Sequence, residues 1–343
     1  MCGLFGFLDY SGKDRKDLRL LTQALASEAG VRGTDATGVA YFHKGLLQIQ
    51  KEAKSPYLWK TSHPDSVRAL IGHTRKATQG SAKQNRNNHP FSGKAGKTRF
   101  ALAHNGILTN DDYLRRHLRL PKTDIETDSY IAVQLLEHEQ SLSQEALKNM
   151  AETVDGSFAF SILDDRNNLT LVKGDSPLTL LHFPKQKMYV YASTDGILWR
   201  ALTYTFLFDD LKEGDCIDIP IRTGDILTIR SDGSTEKSTF EYYRYTGYPG
   251  YYPSYYTGRS ENTSGDFDDS YLQQLRQTAE MLGVRPETVD FLLEDGFTPE
   301  EIEEYIYEDE SGEEVVSYGG LYTESSSYRD RFTNRDLFEG TWG

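Results

Sequence analysis

Met1-Cys2-Gly3-Leu4-Phe5-Gly6-Phe7-Leu8 opens the chain, and two properties of this stretch govern how the rest is read. It is apolar but short and lacks a basic leading segment, so it reads as a first buried strand, not as a signal peptide. Removal of Met1 would leave a thiol and a free α-amino group on one residue, Cys2, whose small side chain permits that removal. An α-amino group titrates at about 7.7–8.0 when unperturbed, so near neutrality it can exchange a proton with the adjacent thiol. Cysteine is already partly thiolate there and intrinsically nucleophilic. A cysteine at position 2 means little alone. The segments that follow decide its weight.

The chain has 343 residues, 37% of them hydrophobic, enough for one large core or two modest ones. Its two cysteines, Cys2 and Cys216, make no disulfide framework. No run approaches the roughly 18–20 apolar residues of a membrane span. The expectation is a soluble protein of a reducing, cytoplasmic compartment, where a free thiol survives. The net charge of -14 is unevenly placed. Residues 261–310 carry 16 acidic side chains against Arg276 and Arg285, whereas residues 1–260 carry 33 bases and 30 acids. The acidic part would repel phosphate, which argues against nucleic acid as a partner.

Residues 1–232 alternate β-rich runs with helical stretches. Expected strands are Gly3–Leu8, Ala69–His73, Arg99–His104, Ser157–Leu163, Leu169–Lys173, Leu178–Phe183 and Met188–Ala192. Gly38–Phe42 and Leu46–Gln50 flank Lys44-Gly45 as a hairpin. Leu18, Leu21 and Leu25 mark a helix over 16–29 that Gly30 ends, and 128–139 and 142–153 read as further helices. Many strands with few long helices predict a layered α+β architecture.

At Glu241 the composition turns to tyrosines (Tyr242, Tyr243, Tyr245, Tyr248 and onward) among Gly, Pro and Ser, so 241–265 is expected to be a flexible linker. Residues 266–309 read as a small acidic three-helix module. Its first helix carries Leu272, Leu275, Ala279 and Leu282 and is capped by Asp268 or Asp269; its second opens at Pro286 and its third at Pro299. Residues 310–343 are Ser-, Gly- and charge-rich and are expected to be disordered.

Four further segments follow Cys2 in order: Arg32-Gly33-Thr34-Asp35-Ala36-Thr37-Gly38, Gly72-His73-Thr74-Arg75-Lys76-Ala77-Thr78-Gln79-Gly80, Ala103-His104-Asn105-Gly106-Ile107 and Glu126-Thr127-Asp128. Asn87-Asn88-His89-Pro90-Phe91 lies between the second and third. This ordered set resembles the glutaminase domain of class II glutamine amidotransferases, N-terminal-nucleophile hydrolases that include glucosamine-6-phosphate synthase and asparagine synthetase. The resemblance covers about residues 2–232 and assigns 1–240 to that domain.

The resemblance implies a four-layer αββα sandwich that hydrolyses L-glutamine to glutamate and ammonia through a Cys2 γ-glutamyl thioester. Asn105 and the Gly106 N–H would hold the oxyanion, although Asn-Gly is also a strong hairpin-turn former. Arg75 would offer a bidentate fork to the α-carboxylate, and Asp128 a charge for the α-ammonium while also able to cap the following helix. Thr78 and Gln79 would line the glutamine pocket, and Arg32 and Asp35 would support the loop beside the N-terminus. Lys76 and Gln79 depart from synthase-type members, which puts lid contacts and coupling to a synthase in question. His73, His89 and His104 lack metal-ligand spacing and read as core or loop residues, and Cys216 as a small core hydrophobe.

No Walker loop or Rossmann fingerprint is present, and no cofactor or metal is expected. The expected partners are L-glutamine and a separate ammonia-accepting synthase with a basic docking surface, with neither nucleic acid nor membrane. Two other functions fit parts of the pattern. One is a γ-glutamyl amide hydrolase or other N-terminal-nucleophile amidase acting on a small molecule. The other is a non-enzymatic interaction protein built on the same fold.

Overall fold

In the computed structural model, the described residues are 2–242, 269–281, 284–294 and the single positions 299 and 302. The chain divides between Ser260 and Glu261 into two compact units.

The first unit runs β1 (Gly3–Asp9), α1 (Leu18–Glu28), β2 (Ala36–His43), β3 (Leu46–Glu52), β4 (Ala69–Arg75), β5 (Phe91–Ala95) and β6 (Thr98–Leu108). It continues through α2 (Asp111–His117), α3 (Tyr130–Glu139), α4 (Gln144–Thr153), β7 (Gly156–Asp164), β8 (Leu169–Lys173), β9 (Thr179–Phe183) and β10 (Met188–Ala192). It closes with α5 (Asp195–Leu202), α6 (Phe208–Glu213), β11 (Ile217–Asp218), β12 (Asp225–Ile229) and β13 (Thr235–Thr239). Seven strands form one sheet in the order β11-β9-β10-β1-β4-β2-β3, and six form another in the order β13-β12-β8-β7-β6-β5. Neighbours in both sheets are antiparallel.

Three apolar cores show why these residues choose these elements. Every residue of β1 is buried, because both faces of that strand are covered. Phe5 and Phe7 join Leu21 and Leu25 of α1 and Ile197 and Leu198 of α5 on one side. Leu4 and Leu8 turn the other way and meet Ala101, Ala103, Ala159 and Leu171 of the second sheet. The far face of that second sheet, with Leu102, Phe158 and Phe160, is packed by Ile131 and Leu136 of α3 and Leu147 of α4. The layering is therefore helix, sheet, sheet, helix. The small residues Ala101, Ala103 and Ala159 let the two sheets stack closely.

Strands β5, β11, β12 and β13 and helices α2, α5 and α6 lie beyond those expected from the sequence. Cys216 is partly buried against the helix-covered core of the first sheet. Glu241 and Tyr242, assigned above to the linker, are bonded to the sandwich. The Glu241 N–H donates to Glu152 at 2.8 Å and the Tyr242 hydroxyl to the Gly156 carbonyl at 3.0 Å. The remainder of the linker stretch and the tail lie outside the described residues.

In the second unit, α7 (Asp269–Met281) and α8 (Pro286–Glu294) bury Leu275, Ala279, Val289 and Leu292. Arg276 is paired with Asp290 at 2.6 Å. Of the expected third helix, only positions 299 and 302 are described, both buried.

Candidate active site

The antiparallel register of β1 on β4 pairs Gly3 with Thr74. Cys2 thus follows at the same sheet end as Arg75, the last residue of β4. The Cys2 thiol donates to the Lys76 carbonyl at 3.5 Å, and the Arg32 Nε–H holds the Cys2 carbonyl at 2.8 Å. Burial pushes the thiol pKa up, and the positive charge of Arg75 acts against that shift. Asp35 secures the loop after β4 from its far side. It accepts from the Ala77 N–H at 2.8 Å, and its own N–H donates to the Arg75 carbonyl at 2.9 Å.

Arg75 is only 3% exposed. Its Nη1 donates to the Asn88 side-chain oxygen at 2.8 Å, and its Nη2 to the carbonyls of Gln79 at 2.6 Å and Gly80 at 2.8 Å. The fork expected to face a substrate carboxylate therefore also ties down the 76–80 loop. All three of these acceptors are neutral oxygens. Among the described residues no carboxylate forms a contact ion pair with Arg75, and the charges of Asp35 and Asp128 reach the guanidinium from farther off. Thr78 and Gln79, expected to line the pocket, stand exposed on the loop. Gln79 takes part through its backbone carbonyl.

Asp128 is 5% exposed. Its Oδ2 accepts from the Leu108 N–H at 2.6 Å and its Oδ1 from the Ser129 hydroxyl at 3.3 Å. It does not cap α3; Ser129 holds the cap position, and neither side chain bonds a helix amide there. No cationic side chain pairs with Asp128 among the described residues. Its charge and that of Arg75 both act on the Cys2 thiol.

Asn105 and Gly106 lie on β6, facing Ala159 and Phe158 of β7. Asn105 is buried, and its Nδ2 has no hydrogen-bond partner among the described residues. An unsatisfied buried donor costs about 1–3 kcal/mol, so this amide is held in place by the strand at a penalty. Gly106 has φ +133°, and a Cβ there would stand 2.0 Å from the Ser157 carbonyl oxygen. Only glycine fits this point of closest approach between β6 and β7.

The three histidines, expected as core or loop residues, lie close together: His73 on β4, His89 in the turn before β5, and His104 on the helix-covered side of β6, against Ser129 and Phe160. The rings of His73 and His89 are 4.0 Å apart and those of His89 and His104 6.5 Å. Burial drives the pKa of His73 and His89 well below that of free imidazole and lowers that of His104, so all three are neutral near pH 7. His73 Nε2 lies 3.0 Å from the His104 carbonyl, which fixes the peptide leading into Asn105. The described residues hold no cluster of three or more His, Cys, Asp or Glu side chains placed to bind a metal ion.

Residues 73–199 match the family described as "Glutamine amidotransferase domain". That span holds Arg75, Asn105, Gly106 and Asp128. The glutamine–fructose-6-phosphate aminotransferase (isomerizing) of Halalkalibacterium halodurans is 29% identical over 248 residues, 71% of this chain and 39% of that protein. The enzyme of the same name from Staphylococcus aureus is 32% identical over 189 residues, 52% of this chain and 30% of that protein. The chain carries a class II glutamine amidotransferase domain. The fold agrees: glutamine phosphoribosylpyrophosphate amidotransferase from B. subtilis superimposes with a TM-score of 0.56 at 20% identity, covering 70% of this chain and 49% of that one. The chain spans about two fifths of the length of the first curated relatives it matches.

Two residues outside the expected site set, Asn88 and Lys51, are bonded around Arg75. Asn88 accepts from Arg75 and, through its Nδ2, donates to the Ala82 carbonyl at 2.8 Å. Lys51, on β3, donates to the carbonyls of Asn88 at 2.5 Å and Pro90 at 3.2 Å. Asn88 could have been singled out from its place in the Asn87–Phe91 segment. A lysine in an alternating strand looks like any solvent-facing charge, and no local signal marks Lys51.

Proposed function

We propose that this amidotransferase domain hydrolyses L-glutamine to L-glutamate and ammonia, with Cys2 as an N-terminal nucleophile. The observation that carries the reading is the pair of buried, opposite charges beside Cys2 that act on each other without touching. Buried charges cost least in direct contact with an opposite charge, and among the described residues neither Arg75 nor Asp128 has a contact ion pair. A free amino acid supplies both contacts at once, its α-carboxylate to Arg75 and its α-ammonium to Asp128. Its side-chain amide is then left to face the thiol.

The chemistry follows from the groups at hand. With Met1 removed, the Cys2 α-amine takes the thiol proton and the thiolate attacks the amide carbon. The carbonyl oxygen becomes an oxyanion, which the Asn105 Nδ2 and the Gly106 N–H are suited to hold. Collapse breaks the carbon–nitrogen bond, and the α-ammonium returns its proton to the departing ammonia. Water, giving a proton to the amine, then opens the γ-glutamyl thioester to release glutamate and the thiol. Burial pushes the Cys2 thiol up, which favours a mechanism with a base beside it. Ammonia passes, in this reading, to a separate synthase docked by the acidic module of residues 266–309.

Asp128→Asn tests the charge pair. The KM for glutamine should rise by roughly tenfold or more, the weight of one hydrogen bond to a charged group, while kcat changes little. An unchanged KM would remove the amino-acid reading and favour a small-molecule amidase that does not read the α-ammonium.

A further inference from the structure

Lys51 and Arg75 lie on different strands, yet both cations grip one residue. Lys51 Nζ donates to the Asn88 backbone carbonyl at 2.5 Å, and Arg75 Nη1 to the Asn88 side-chain oxygen at 2.8 Å. Lys51 holds Pro90 of the same turn as well, and its ammonium sits 5.0 Å from the centre of the Phe91 ring. Gly38 on β2 makes the approach feasible. A Cβ there would meet the His89 carbonyl oxygen at 2.2 Å and the Lys51 Cβ at 2.7 Å, so the turn can lie directly on β2 and β3. No carboxylate pairs with Lys51 among the described residues.

We propose that Lys51 is a positioning residue for substrate binding: it clamps the Asn88–Pro90 turn, and through Asn88 it sets Arg75 to receive an α-carboxylate. This rests on the glutamine reading above. The titratable groups felt at Lys51 are Arg75 and His73 from β4 and His89 from the turn, and the histidines are neutral. Lys51 and Arg75 are therefore two like charges on one wall, with no carboxylate in contact ion-pairing with either among the described residues; Asp35 and Asp128 act on Arg75 only from farther off. A carboxylate arriving there relieves their repulsion, so substrate binding and the Lys51 charge support each other. Burial first, and then the Arg75 charge, pull the Lys51 ammonium down to about 8. Below that pH the side chain carries its charge; above it the charge is lost and the clamp weakens.

The test is steady-state glutamine hydrolysis by the full chain and by Lys51→Met and Lys51→Arg, measured on both sides of the transition at about 8. Lys51→Met should raise KM about tenfold or more while leaving kcat nearly unchanged, as expected for loss of a charge-assisted bond away from the reacting atoms. Wild-type KM should rise as pH passes the transition, and the rise should be absent in Lys51→Arg, whose guanidinium stays charged. A wild-type KM in Lys51→Met, or superimposable pH profiles for wild type and Lys51→Arg, would overturn the proposal. If neither variant folds, a wild-type KM that stays flat through the transition does the same. Failure of the underlying reading looks different: wild type and Cys2→Ala would then release ammonia from glutamine at the same rate.

Discussion

At the scale of single residues, the site is a set of unmet needs. Among the described residues Arg75 and Asp128 have no contact ion pair, and Asn105 has an amide hydrogen-bond donor with nothing to receive it. Substrate and transition state would answer them in sequence, the charges on binding and the amide only when the oxyanion forms. Asn105→Ala should consequently lower kcat by about 10²–10³ with little change in KM, the usual cost of one oxyanion donor. A kcat within a few-fold of wild type, measured by ammonia release, would remove Asn105 from the mechanism. Arg75, Asn105 and Asp128 are legible in the sequence because they lie in ordered motifs, His73-Thr74-Arg75, His104-Asn105-Gly106 and Glu126-Thr127-Asp128, that carry the resemblance. Lys51 does not stand out. Its burial is produced by the 88–90 turn, nearly forty residues away, folding over β3, and no local pattern encodes that.

At the scale of elements, legibility followed hydrophobic period. The β2–β3 hairpin was readable from Lys44-Gly45, and both residues take positive φ, 51° and 72°, as a two-residue turn that matches strand twist requires. Strands β1, β4, β6 to β8 and β10 are buried on both faces and read as apolar runs. Most of the elements beyond that reading have no such period; β12, Asp-Ile-Leu-Thr-Ile, is an exception, fully buried but only five residues long with two polar side chains. Strand β13 is Thr-Glu-Lys-Ser-Thr at a sheet edge, without one apolar side chain. Strand β5 contains Ser, Gly and Lys, and α6 is six residues long, too short to display a face. Helix α5 was hidden for another reason. Ile197, Leu198, Ala201 and Leu202 are all buried, but eight residues are scarcely two turns, and they follow closely on the apolar strand β10. Element ends place the chemistry: the starts of β1 and α3 and the end of β4 bring Cys2, Asp128 and Arg75 within electrostatic reach of one another, and the contact of His73 with the His104 carbonyl ties β6 to β4 one residue before Asn105.

At the scale of the whole molecule, charge separates a near-neutral sandwich from the strongly acidic residues 261–310. If the acidic module docks a synthase and contributes nothing to hydrolysis, truncation after Tyr242, which keeps the Tyr242–Gly156 bond, should preserve glutamine turnover while low-salt association with that synthase is lost. Exposed charges are screened over about 8–10 Å at 0.1–0.15 M salt, so the intact chain should also release its partner as salt rises. Lost turnover in the truncated chain would contradict this division of labour. The central claim is that Cys2, freed of Met1, is the nucleophile. Intact-mass spectrometry of the full chain, acid-quenched during turnover of glutamine, tests it most directly. The expected mass lacks the initiator methionine and carries a γ-glutamyl adduct that is absent in Cys2→Ala. A fully active chain that retains Met1, or an adduct that persists in Cys2→Ala, would contradict the claim.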